Sequence, residues 1–151
     1  MPLYFAYGSN MDAGAMARRC PRARALGLAR LERHRLAVMR EGWLTAVRSP
    51  QGAVHGVLWD LSLADIPALD RYEGPFYLKA SQPVVGAGGP KRALVYFGAN
   101  GGPGTAKPDY IAGVIAAARA RGLPEDAIAI LEAIACGKPG GAPQRSRRTL
   151  S

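Results

Sequence analysis

The chain of 151 residues is long enough for one hydrophobic core and too short for two comfortable ones; at 48% hydrophobic and 21% charged, its composition is globular and excludes disordered or fibrous classes. A formal net charge of +9 raises nucleic acid or a membrane surface as a partner. Arginine greatly outnumbers lysine, however, and Arg145, Arg147 and Arg148 sit in a Gly/Pro/Ser-rich end, so a solvated basic surface is the preferred reading.

The first residues enter a strand pattern without a basic leader, and no apolar run reaches membrane-spanning length. Cys20 and Cys136 do not make a disulfide framework, so a reducing cytoplasm is expected. Residues 3–7 read as a strand, and Asp12 caps a short helix over 13–19 that Cys20-Pro21 stops. Residues 25–40 fit one or two strands with a wet face and a buried one, with Leu28, Leu31, Leu36 and Val38 as core candidates. Residues 43–48 are ambiguous, whereas 54–61 have the composition of a largely buried strand.

Ser62 with Asp65 three residues on suggests an acidic capping box that opens a helix through Ile66, Leu69 and Tyr72. Gly74-Pro75 breaks that helix and leaves Glu73 at its end. Residues 77–85 and 92–97 read as a hairpin joined across 86–90, and helices follow over 109–121, closed by Gly122, and from Pro124, with Ile128, Leu131 and Ile134 on one face. Residues 1–137 form one expected domain and 138–151 a flexible basic tail. The pattern is α+β, with mostly antiparallel strands that could close into a small barrel.

Two stretches carry chemistry. The first strand runs into Tyr7-Gly8-Ser9-Asn10-Met11, a loop able to offer backbone N–H groups, a hydroxyl and an amide to one small anionic or carbonyl-bearing ligand. Leu69-Asp70-Arg71-Tyr72-Glu73-Gly74 ends in a carboxylate directly before a glycine. Either stretch alone is ordinary turn chemistry. Together they resemble the gamma-glutamylcyclotransferase (AIG2-like) family, whose signature is a Tyr-Gly-Ser-Asn loop after a first strand and a later Glu-Gly pair. Val54-His55-Gly56-Val57-Leu58-Trp59 resembles its central strand, and Lys107-Pro108-Asp109-Tyr110 with Arg121-Gly122-Leu123-Pro124 resembles its later helix start and break.

The resemblance reaches to about Leu131. It implies a small mixed, mainly antiparallel β-barrel with surrounding helices, and a cofactor-free conversion of a gamma-glutamyl amino acid or amine to 5-oxoproline and the free amine. By it Tyr7, Gly8, Ser9 and Asn10 line the gamma-glutamyl pocket, Glu73 is the acid/base, Tyr110 closes one side, and Tyr77 contributes as a further binding residue. The loop Gly74-Pro75-Phe76 is shorter than is usual in the family, which bears on the leaving-group side.

Other readings are a gamma-glutamylamine specialist, a non-catalytic ligand-binding module of the same fold, and nucleic-acid binding through the basic surface. No aromatic residues interleave with the arginines of residues 18–40, which disfavours the last. Ser9 lacks the Gly-x-Ser-x-Gly elbow, and His34, His55 and the cysteines show no metal-ligand spacing. Trp43 and Trp59 read as packing residues.

Overall fold

The structure is a computed structural model that describes residues 2–137. The expected basic tail over 138–151 lies outside the described residues. Five strands close into a barrel in the order β1 (Leu3–Ala6), β3 (Leu44–Asp60), β2 (Arg24–Val38), β4 (Tyr77–Gly86) and β5 (Gly89–Gly98). All pairings are antiparallel except β1 with β5, where Tyr4 faces Leu94 in parallel. This is the mixed, mainly antiparallel barrel expected. The helices are α1 (Ala13–Arg19), α2 (Ile66–Glu73), α3 (Pro108–Arg121) and α4 (Glu125–Ala135).

The stretch 25–40 supplies one long strand that ends at Val38, and the ambiguous stretch 43–48 opens its partner β3 from Leu44 on. Their alternation explains which side chains turn inward. Side chains of a strand change faces at every residue, so odd-numbered Leu31 and even-numbered Leu36 and Val38 share a face only if an extra residue intervenes. Arg33 is that residue: it has φ 61° in the bulge between Glu32 and His34. Leu28 precedes the bulge on the outward parity of Arg30 and Glu32, and it is 39% exposed, so its assignment to the core is corrected.

The core itself is built from Phe5, Met11, Met16, Leu31, Leu44, Val54, Val57, Leu61 and Leu69 inside and around the barrel, with Ile111, Val114, Leu131 and Ile134 bringing α3 and α4 onto it. Gly56 is needed for closure, because a Cβ there would lie 2.2 Å from the Ala6 carbonyl oxygen.

Local signals account for most element ends. Asp12 Oδ2 accepts from the Ala15 amide at 2.8 Å and caps α1, and Gly122, at φ 79°, ends α3. The β4–β5 turn is tighter than expected, with Gly86 paired to Gly89 across two residues. The capping box at Ser62 is a second correction. Ser62 Oγ accepts from the Ala64 amide and starts a short 3₁₀ turn, Leu63–Asp65, before α2. The Asp65 carboxylate instead reaches Arg22, taking its amide at 3.0 Å and its guanidinium at 2.8 Å. Asp65 is buried, at 3% exposure, and its carboxylate takes these two donors from a distant segment rather than an amide of its own helix start.

Candidate active site

The polar loop after β1 forms a 3₁₀ turn, Ser9–Met11, whose first internal hydrogen bond runs from the Met11 amide to the Gly8 carbonyl at 3.1 Å. The amides of Ser9 and Asn10 therefore precede the first donor used by the turn. Four groups hold the loop from behind. Asn10 Nδ2 donates to Tyr4 Oη at 3.0 Å, Arg19 donates to Asn10 Oδ1, Trp59 Nε1 donates to the Asn10 carbonyl at 3.1 Å, and Arg121 Nε donates to the Met11 carbonyl at 2.9 Å. Asn10 is buried and its side-chain amide is engaged at both ends, so it shapes the loop more than it offers a free hand to a ligand.

Facing the loop is the end of α2. Glu73 is half-buried, and Tyr72 beside it shares a 2.7 Å hydrogen bond with Ser9 Oγ. The Arg19 guanidinium lies 3.5 Å from the centre of the Tyr72 ring, joining α1, the loop and α2 in one contact. Tyr77 and Tyr110 meet at Leu44: Tyr77 Oη donates to its carbonyl at 2.6 Å, and Tyr110 Oη accepts from its amide at 3.2 Å. Gly8 lets Tyr110 approach, since a Cβ at that position would stand 3.1 Å from the phenol oxygen.

Between these groups lies a cavity of about 350 Å³, within the usual size range of small-molecule sites. All seven residues singled out from the sequence line it: Tyr7, Gly8, Ser9, Asn10, Glu73, Tyr77 and Tyr110. Tyr4, Phe5, Trp43, Leu44, Arg71, Tyr72, Phe76 and Tyr96 complete most of the wall.

Burial dominates the electrostatics. It raises the Glu73 carboxyl to a pKa of about 7, with the Arg19 charge pulling down and the Asp70 charge pushing up. Burial above all, with a contribution from the Glu73 charge, also raises the phenols of Tyr4, Tyr7, Tyr77, Tyr96 and Tyr110, which therefore stay protonated at neutral pH. Tyr7 spends its proton on the Tyr96 carbonyl at 2.6 Å, and Tyr96 spends its own on Asp70. Tyr4 and Tyr110 each accept an N–H and keep their hydroxyl proton for another acceptor. Asp70 is the opposite case to Glu73. Burial works against its charge, but hydrogen bonds from Tyr96 and Lys79 prevail and hold it below the ordinary carboxyl value.

The cavity thus combines one carboxyl poised near neutrality, amides at the start of a turn, and phenol donors set among apolar side chains. A family model described as gamma-glutamyl cyclotransferase, AIG2-like, matches residues 4–113. The chain belongs to that family. Among solved structures, one named gamma-glutamyl cyclotransferase aligns with a TM-score of 0.81 at 25% identity, covering 99% of this chain and 93% of its own. A human protein described as uncharacterized aligns at 0.80 with 26% identity, covering 99% and 92%. YkqA from Bacillus subtilis, at 20% identity and a TM-score of 0.74, shares the fold over 93% of this chain and 56% of its own. No curated protein matches the chain.

Several walls of this cavity have no counterpart among the expected site residues. Tyr72 adjoins Glu73 in Leu69-Asp70-Arg71-Tyr72-Glu73-Gly74, and that adjacency to the carboxylate is its one signal in the sequence. Trp43, expected as a packing residue, walls the cavity edge to face against Phe76, with ring centroids 5.1 Å apart. Trp59 does pack, buried behind the loop. His34 is a buried histidine with Nδ1 2.9 Å from the Glu32 carbonyl and its ring stacked on Phe97, while His55 is half-buried. Neither lines the cavity. Cys20 is buried and Cys136 exposed, both as free thiols. Among the described residues no group of three or more His, Cys, Asp or Glu is placed to hold a metal ion, and no helix is long and apolar enough to cross a membrane.

Proposed function

We propose that the protein converts a small gamma-glutamyl compound to 5-oxoproline and a free amine, with Glu73 carrying the proton. The observation that supports this most is a half-buried carboxyl with a pKa of about 7, opposite the Gly8-Ser9-Asn10 turn in one cavity. The substrate's alpha-amine arrives as an ammonium, and the Glu73 carboxylate takes one proton from it. The amine nitrogen then attacks the gamma-carbonyl carbon and forms the five-membered ring. As the carbon–nitrogen bond to the leaving group breaks, protonated Glu73 returns that proton to the departing nitrogen, and the second proton, which the ring nitrogen sheds on becoming the lactam N–H, follows by the same carboxylate, so the amine leaves as an ammonium. Atoms and charge balance without a cofactor.

A pKa near the working pH lets one group serve as base and then acid. The remaining task is positional, because both reacting groups belong to one substrate; holding them in the ring-closing shape is worth up to about 7 to 11 kcal/mol. The Ser9 and Asn10 amides suit the alpha-carboxylate. The free hydroxyl protons of Tyr4 and Tyr110 suit the oxygen on which charge develops, a role worth about 3 to 4 kcal/mol per donor in other enzymes.

The test is incubation with a panel of gamma-glutamyl amino acids and gamma-glutamyl amines, scored for 5-oxoproline. Release from at least one class is expected. A silent panel overturns the proposal and returns the site to ligand binding without turnover.

A further inference from the structure

The cavity is graded from floor to mouth. Tyr4, Phe5 and Tyr7 are buried at one end, while Arg71, Tyr72 and Phe76 are exposed at the other. Trp43, from the turn between β2 and β3, and Phe76, from the turn before β4, meet there at 62° between ring planes. Neither ring is part of the described apolar core, so together they present aromatic surface to whatever occupies the mouth.

The mouth carries cations. Arg71 lines it, and among the described residues its guanidinium makes no ion pair. Lys107 adds a second cation, its Nζ 5.8 Å from the Trp43 ring centre. Of the nearby carboxylates, Asp70 is engaged by Tyr96 and Lys79 and Glu41 by Asn100 Nδ2 at 2.9 Å, while Glu73, two residues from Arg71 in the same lining, is the group assigned to proton transfer.

We propose that Trp43, Phe76 and Arg71 form a leaving-group subsite for an amino acid with an aromatic or large apolar side chain, its alpha-carboxylate facing Arg71. The proposal rests on the cyclotransferase reading of the same cavity. The gamma-glutamyl half is common to every such substrate and fits the enclosed polar end with Glu73 and the turn amides. The variable half must then project toward the mouth. Aromatic walls favour a flat apolar side chain there, and an unmatched guanidinium favours a carboxylate on the carbon next to the leaving nitrogen over that of an epsilon-linked lysine conjugate, which sits at the far end of the lysine chain beside an ammonium.

The experiment compares gamma-glutamylphenylalanine with gamma-glutamylphenethylamine, which differ only in the alpha-carboxylate, and adds gamma-glutamylglycine and the epsilon-linked gamma-glutamyllysine. The expected kcat/KM is about tenfold higher for the phenylalanine than for the phenethylamine conjugate, the size of one solvent-facing charged hydrogen bond. Arg71→Gln should act through KM and bring that ratio close to one. Phe76→Ala should lower kcat/KM for both aromatic conjugates relative to gamma-glutamylglycine. Equal rates for the matched pair, a ratio that survives Arg71→Gln, or preference for the lysine conjugate would overturn the subsite. Calorimetric binding of the same pair reads the subsite without turnover. Preferential binding of the phenylalanine conjugate with no 5-oxoproline would support the subsite and overturn the cyclotransferase reading, whereas equal affinities would overturn the subsite itself.

Discussion

Replacing Glu73 by glutamine keeps the side chain's shape and hydrogen-bonding reach but removes the group that takes and returns the proton. Turnover should fall by about 10² to 10⁴, the usual contribution of a positioned acid/base, while ligand binding largely survives. Stability should move the other way. Carrying a carboxyl from 4.5 to about 7 corresponds to about 3 kcal/mol against the folded state once the group is ionised. Glu73 retains some solvent access and the amide has a desolvation cost of its own, so a gain of about 1 to 2 kcal/mol is expected, or roughly 3 to 6 °C in Tm. The sign follows from the raised value. Stability linked to this group is fully present below about 4.5 and is lost as the pH rises through about 7. The Tm advantage of Glu73→Gln should therefore be small at pH 4 and fully developed at pH 8. Melting curves of both proteins across that range, with 5-oxoproline release at neutral pH, make the check. A pH-independent Tm difference, or wild-type turnover in the variant, would refute the reasoning.

Three further substitutions probe the surroundings. Arg19→Gln removes the cation that lowers the Glu73 pKa, so the ascending limb of the pH–rate profile should move to higher pH; an unmoved or acid-shifted limb would contradict this. Gly8→Ala places a Cβ 3.1 Å from Tyr110 Oη, and displacing that phenol from the Leu44 amide should lower kcat/KM about tenfold, as measured by steady-state kinetics. Asp65→Ala deprives the Arg22 amide and guanidinium of their acceptor, and chemical denaturation should show a loss of about 1 to 3 kcal/mol with little change in KM.

What could be seen in the sequence was what local chemistry dictates. An aromatic strand running into Gly-Ser-Asn has to turn, and a helix followed by Gly74-Pro75 has to stop, so the loop and Glu73 stood out before any tertiary contact was known. Their meeting across one cavity came from the family resemblance. The features that stayed hidden depend on register between distant segments. Trp43 reaches Phe76 only because β3 and β4 bring two turns to one end of the barrel. Leu28 and Leu31 look equally apolar, and only their phase relative to the bulge at Arg33 separates an exposed residue from a core one. Asp65 has the spacing of a cap residue, and a partner 43 residues away at Arg22 decides otherwise. Asn10 looked like a ligand-facing amide, but Tyr4 and Arg19 occupy both ends of it.

The central claim is that the substrate's own amine, and not water, attacks the gamma-carbonyl beside Glu73. Turnover in ¹⁸O-labelled water, followed by mass spectrometry, separates the two. Ring closure keeps the carbonyl oxygen of the substrate, so the account predicts 5-oxoproline at its unlabelled mass, released in equal amount with the free amine. Glutamate carrying ¹⁸O would show that water is the nucleophile and would contradict the account.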